Sequence, residues 1–318
     1  MRLHSGNPLS AGRVFVTLAA GLAALSPAIG QKRLSPDVPA FRADSALVLV
    51  PVTVVDHRGA AVNGLARDAF TLTENGVQQQ IRSFNEQDVP VSIGIVLDVS
   101  GSMRKVLGTA KESLRAVMRD ADPADEVFLN SVSTRPRTHS GFTRDFDEIL
   151  RRVSQEDAQG NTALIDTIYA SLKRLRSGVH ARKALLIISD GMDNHSSHSK
   201  EELMRCAVEA DAQIYTFAVG AWSRAAKPIE LTEEKQGLSL LEELATKSGG
   251  MNFVVRDRRD IPEAALSIGQ ALRNQYAIGY VPHDKNGDGK WRGIRVKVSG
   301  SGLRAYARTG YRIERDID

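Results

Sequence analysis

Hydrophobic and polar positions alternate differently in three parts of the chain. Residues 45–56, ALVLVPVTVVDH, are dense in β-branched side chains, and HRGAAVNG after them reads as a turn. AFTLTENGVQQQIRSF, residues 69–84, places Asn75-Gly76 between two alternating runs, a strong hairpin signal. Residues 45–86 therefore predict three or four strands and no helix.

From residue 91 the period changes. VSIGIVLD (91–98), EVFLNSVS (126–133), KALLIISD (183–190), QIYTFAVG (213–220) and MNFVVRD (251–257) are apolar on both faces. Between them lie helical patterns at 105–120, 146–153, 162–175, 200–212, 239–250 and 260–275. Uniformly apolar strands alternating with helices predict a mostly parallel sheet covered on both faces. After 275 the pattern returns to short strands, YAIGYVP, WRGIRVKVSG and RAYARTGYRI, joined by Gly-rich turns. The fold class expected is α/β: a doubly wound, Rossmann-like, mostly parallel sheet inserted in a small β-sandwich formed by the N- and C-terminal strands. The boundaries read are an N-terminal β segment at 44–88, the α/β domain at 89–275, and a C-terminal β segment at 276–318 that pairs with the first.

The first thirty residues differ from the rest. Arg2, His4 and Arg13 precede an apolar run, Val14 to Leu25, and Ser26 to Gln31 end it with small residues. That is the layout of a secretory signal cut after Gly30. The other reading, a retained anchor, is disfavoured because the run is short for a bilayer. Residues 31–43 read as a linker. The expectation is an exported protein, periplasmic or secreted, with no membrane span after cleavage. One cysteine, Cys206, excludes an internal disulfide, and its helical setting reads as a buried thiol. The formal charge is +4 with cations and anions interleaved, so the clustered basic face of a nucleic-acid binder is absent.

The chemistry concentrates where apolar strands stop. SIGIVLDVSGSMRK ends a buried run in Asp98 and follows it with Ser100 and Ser102. A second polar cluster, Asp190-Gly191-Met192-Asp193, closes KALLIISD, and Gly160-Asn161-Thr162 opens a helix. In open parallel sheets, sites form at the carboxyl ends of strands, where these three loops converge. Carboxylates and hydroxyls are hard oxygen ligands suited to Mg²⁺ or Mn²⁺. An ion held partly by hydroxyls and water stays electron-poor and seeks one more oxygen, from an Asp or Glu of a partner. The competing reading is a turn whose serines cap a helix.

The order Asp98-x-Ser100-x-Ser102, then Gly160-Asn161-Thr162, then Ser189-Asp190-Gly191, resembles the metal-ion-dependent adhesion site of von Willebrand factor type A (VWFA) domains. The whole of 44–312 resembles exported bacterial VWFA-related proteins. The features are V-x-D-x-x-G at 54–59, DAFTLTENG from Asp68, DVSGSM, NTALID from Asn161, RKALLIISDGMDN, the Gly pair before Phe253, QYAIGY and ARTGY. The resemblance implies that Ser100, Ser102 and Thr162 are hydroxyl ligands and Asp98 and Asp190 carboxylate ligands, direct or through water. It implies metal-dependent binding of a protein ligand that offers a carboxylate, or adhesion, rather than catalysis. The alternative is a scaffold component of an envelope complex whose metal only stabilises the fold.

Other candidates carry less. Met103, Asp193, His195 and His198 are read as a rim meeting the partner. DKNGDGKWRGIR (284–295) starts like a calcium loop, but its twelfth position is Arg295, and a hairpin turn explains it better. An aspartyl-phosphate enzyme would need a second Asp where Ser100 stands, and neither a Walker loop nor G-x-S-x-G occurs.

Overall fold

The computed structural model describes residues 47–119, 121–219, 228–283 and 289–312. The segments read as a signal (1–30) and a linker (31–43), and the first five residues of the 284–295 loop, lie outside the described residues.

The parallel sheet is built from β5 (Val91–Asp98), β6 (Glu126–Val132), β8 (Arg182–Ser189), β9 (Gln213–Val219) and β10 (Asn252–Val255), with β7 (Arg137–Thr138) as an edge. The order is β10-β9-β8-β5-β6-β7, and only β7 is antiparallel. Strand periodicity sorts β5 between two cores. Ile93, Ile95 and Leu97 pack with α1 (Leu107–Met118), α2 (Phe146–Gln155) and α6 (Ile261–Arg273). Val96 joins the opposite core, under α3 (Leu164–Leu175), α4 (Lys200–Glu209) and α5 (Pro228–Ser248). Cys206 is buried there.

The strands on either side of this domain pair with each other. β1 (Val48–Val55), β4 (Ile81–Gln87), β11 (Gln275–Tyr280) and β13 (Arg304–Ala307) form one antiparallel sheet, ordered β13-β1-β11-β4. β2 (Phe70–Glu74), β3 (Val77–Gln79), β12 (Trp291–Val298) and β14 (Gly310–Arg312) form the other, ordered β14-β12-β2-β3. Val50, Val52, Leu72, Tyr276 and Ile278 fill the space between them. The expected insertion of an α/β domain in a sandwich is thus the fold observed.

Two details differ from the sequence reading. Helix α5 begins at Pro228, eleven residues before the expected start, because the polar stretch LTEEKQG masks its apolar period. RAYARTGYRI is not one strand: β13 and β14 belong to different sheets.

Asp44–Asp318 form one compact unit, and specific contacts join its parts. Buried Asp125 accepts the Val91 N–H at 2.8 Å and forms an ion pair with Arg273, so one carboxylate ties the entry and exit of the inserted domain. At the end of α5, Gly249 has φ +82°, and a Cβ there would fall 2.4 Å from the Arg308 nitrogen. Next to it, Thr309 N–H donates to the Lys247 carbonyl at 3.1 Å. The Gly pair lets the helix end lie directly on the sandwich. No helix among the described residues is long and apolar enough to cross a membrane.

Candidate metal centre

Asp98 ends β5 and is fully buried. Its Oδ1 accepts the Ser100 N–H at 2.9 Å, and its Oδ2 accepts the Ser189 hydroxyl at 2.5 Å. The chain then turns into a 3-10 segment, Gly101–Lys105. Ser100 sits at its N-cap position, yet its side chain makes no capping bond. The two serine hydroxyls lie 3.0 Å apart instead, and Ser102 also bonds to Asp190. The helix-capping reading of these serines therefore fails.

The other two loops are braced against the first. Gly101 N–H donates to the Gly160 carbonyl at 3.0 Å. Thr162 is buried. Its N–H donates to Asn194 Oδ1 at 2.9 Å, and its carbonyl accepts the N–H groups of Asn194 and His195 at 3.0 Å each. Asp190 Oδ1 accepts the Met192 N–H at 3.0 Å. The loop lies so close to α5 that a Cβ on Gly191, at φ +81°, would fall 2.3 Å from the Gly237 carbonyl oxygen. Asp98, Ser100, Ser102 and Asp190 are thus joined by short contacts, and Thr162 is held in the adjoining loop.

The electrostatics are unbalanced. Burial, then the neighbouring Asp190 charge, pushes Asp98 up to about 7. Burial also raises Asp190, against the hydrogen bonds it accepts. No cationic side chain contributes to either shift. Desolvated like charges of this kind are costly unless something positive sits between them.

Met103 does not belong to a rim. The 3-10 turn swings its side chain into the core beneath α1, where it is fully buried. Half-buried Asp193 faces inward as well, with Oδ1 accepting the Ile165 N–H at 3.1 Å and the Ser196 hydroxyl at 2.6 Å. His198 is paired with Asp166 at 2.7 Å and stacked on Tyr169 at 4.1 Å, while His195 is exposed. Ser189 and Asn194 carry positioning roles that strand and loop patterns did not single out. The signal available for Ser189 was a hydroxyl at the end of an otherwise apolar strand.

Elsewhere, Ser131 Oγ lies 2.7 Å from His139 Nε2. Ser131 is fully buried, and Glu156 approaches the same ring nitrogen at 3.5 Å, so this trio is no proton relay to an exposed nucleophile. Among the described residues, no group of three or more His, Cys, Asp or Glu is arranged around a common point.

A doubly wound sheet with hydroxyls and carboxylates gathered at its carboxyl end defines the class of this molecule. Residues 93–192 match the family model described as the von Willebrand factor type A domain, so this part of the chain is a VWFA domain. Such domains generally mediate protein–protein interaction or adhesion, are mostly non-enzymatic, and often bind a metal. A curated protein of Borreliella burgdorferi, named only as uncharacterized, is 24% identical over 190 residues, covering 52% of this chain and 54% of its own. The chain thus spans about half the length of that relative. Among solved structures, a von Willebrand factor type A protein from Catenulispora acidiphila is similar with 13% identity, covering 87% of this chain and 76% of its own, at a TM-score of 0.46. An aerotolerance-related membrane protein from Bacteroides fragilis shows 17% identity, with 57% and 98% covered and a TM-score of 0.45.

Proposed function

We propose that this chain is an exported, non-enzymatic binding protein that captures an acidic side chain of a protein partner through a divalent ion. The ion is Mg²⁺ or Mn²⁺. Ser100, Ser102 and Thr162 supply hydroxyls, and Asp98 and Asp190 supply carboxylates. The observation that carries this reading is the buried Asp98–Asp190 pair, linked to Ser100 and Ser102 and paired with no cation among the described residues. The donor set fits a hard divalent ion and no soft one. When bound, the ion offsets the repulsion between the two carboxylates and offers a free coordination position to a ligand oxygen. The protein's own contribution is placement: Ser189 orients Asp98, Asn194 holds the Thr162 backbone, and the apolar core keeps the loops rigid. Residues 1–30 act as the export signal and are removed.

The test is thermal unfolding of residues 31–318 in EDTA, Mg²⁺, Mn²⁺ and Ca²⁺, beside Asp98→Ala. Stabilisation by Mg²⁺ or Mn²⁺ that disappears in the variant is the expected result. No stabilisation at millimolar metal would overturn the reading. A pull-down with and without EDTA then separates metal-dependent capture from a scaffold whose metal only stabilises the fold, because scaffold binding would ignore the chelator.

A further inference from the structure

Loops that follow parallel strands share one end of the sheet, and around the proposed metal loops that end carries exposed cationic side chains with no ion-pair partner among the described residues. Arg104 and Lys105 end the 3-10 segment that begins after Ser100, and both are exposed. The turn at Arg258–Asp260 leans on the start of α1: a Cβ on Gly108 would fall 3.2 Å from the Arg258 guanidinium, and Arg258 reaches Glu112 at 3.7 Å. That places exposed Arg256 at the same end of α1 as Arg104 and Lys105. Arg135 follows Thr134, whose hydroxyl accepts the Asn161 N–H at 3.2 Å beside Thr162. Lys235 lines a cleft of about 560 Å³ with Gly191 and Met192.

Among the described residues, none of these five side chains has an ion-pair or hydrogen-bond partner. The acids nearby are largely committed. Asp257 holds Arg259 at 3.0 Å, and Asp260 accepts the N–H groups of Arg256 and Asp257 at 3.0 and 2.9 Å. Asp157, Glu201, Glu233 and Glu263 are the other exposed acids on the loops and first helical turns of this end, and none of them belongs to the segment that carries Arg104 and Lys105. Arg104 and Lys105 thus stand on the same short segment as Ser102, beside a centre that already asks for a carboxylate.

We propose that the partner's metal-seeking carboxylate stands within an acidic run, a segment with several Asp or Glu in a few residues, whose neighbouring charges meet Arg104, Lys105 and Arg256. The proposal rests on the metal-capture reading above. One exposed ion pair adds little, so the effect needs several charges acting together, and it should weaken with salt. Such a field also speeds encounter with an acidic segment.

The probes are two labelled Gly/Ser peptides, one with a single central Asp and one with the same Asp flanked by two Glu on each side. Anisotropy in Mg²⁺ at low salt should show the acidic-run peptide binding about tenfold tighter, with the advantage shrinking near 0.3 M salt. In Arg104→Ala/Lys105→Ala/Arg256→Ala the advantage should collapse to about twofold, while the single-Asp peptide and the melting temperature barely change. Equal affinity of the two peptides, or an advantage that survives in the triple variant, would overturn the proposal. So would displacement of the acidic peptide by an oligonucleotide in EDTA, which would mark a general polyanion surface. An acidic-run advantage that persists in EDTA and in Asp98→Ala would keep the cationic face and refute metal capture instead. Binding of neither peptide would refute both.

Discussion

Glu74 in the sandwich and the Asp98–Asp190 pair above the parallel sheet are all buried carboxylates, yet their surroundings differ. Glu74 is 5% exposed and accepts hydroxyls from Tyr280 at 2.5 Å and Tyr311 at 2.9 Å, drawn from two other strands. Burial pushes Tyr311 up to about 12 and Tyr280 higher still, so both stay protonated donors. The sandwich completes this site with its own groups. Above the parallel sheet, two carboxylates accept serine hydroxyls and backbone N–H groups, and no ion pair to either is formed among the described residues. The first arrangement is what a fold does to close itself. The second is left open to an outside charge.

The sharpest way to break that comparison is to remove each carboxylate in turn. Glu74→Ala strands the buried Tyr280 hydroxyl and the half-buried Tyr311 hydroxyl and should cost about 3 kcal/mol, roughly 6–12 °C in melting temperature. Asp98→Asn, measured in EDTA at pH 8, should cost no more than about 1 kcal/mol and has room to stabilise, since it removes a repulsion. If the two substitutions cost the same, Asp98 is an ordinary structural acid and the contrast is false.

Metal should act on one region only. At a hundredfold excess over Kd, Mg²⁺ or Mn²⁺ should add about 2.7 kcal/mol to wild type and to Glu74→Gln, and nothing to Asp98→Ala. A scan by differential calorimetry reads all three. The pH dependence sharpens the point. Burial and the Asp190 charge push Asp98 up to about 7 from an ordinary 3.8. A raised carboxyl contributes stability below its unfolded value and loses it as pH climbs to the folded value. Wild type minus Asp98→Asn should therefore decline between about pH 4 and 7 and level off above. With metal present the decline should vanish, because the ion displaces the proton. A difference that stays flat across the window without metal would remove the electrostatic argument.

How much of this was legible beforehand depended on whether the information was local. Ile93, Ile95 and Leu97 together with Val96 announced a strand buried on both faces, and Asp98 announced its end, because side-chain periodicity and polarity are properties of a short stretch. Asn75 and Gly76 adopt φ of 48° and 83°, the turn their identities ask for. Pairing is not local. Nothing within RAYARTGYRI says that Ala307 faces Val52 in one sheet while Gly310 faces Gly293 in the other. Met103 was misread for the same reason: after two small polar residues it reads as exposed, and only the 3-10 geometry turns it inward. Ser189 and Asn194 act across distances of 91 and 32 residues in sequence, so their roles become visible only when the loops meet.

The smallest effect tests whether the loops are positioned or merely adjacent. Asn194 is exposed, and its Oδ1 accepts the Thr162 N–H at 2.9 Å. Two backbone bonds from 194 and 195 also reach the Thr162 carbonyl. Asn194→Ala removes the side-chain brace and keeps the other two. Stability should fall by about 0.5–1 kcal/mol, the worth of one partly exposed hydrogen bond. If Thr162 takes part in the centre, metal affinity should fall further, by about tenfold, as for a lost partner that orients a ligand. Calorimetric titration with Mn²⁺ measures this directly. A loss of stability with unchanged metal affinity would leave Asp98, Ser100, Ser102 and Asp190 as the working set and remove Thr162 from it.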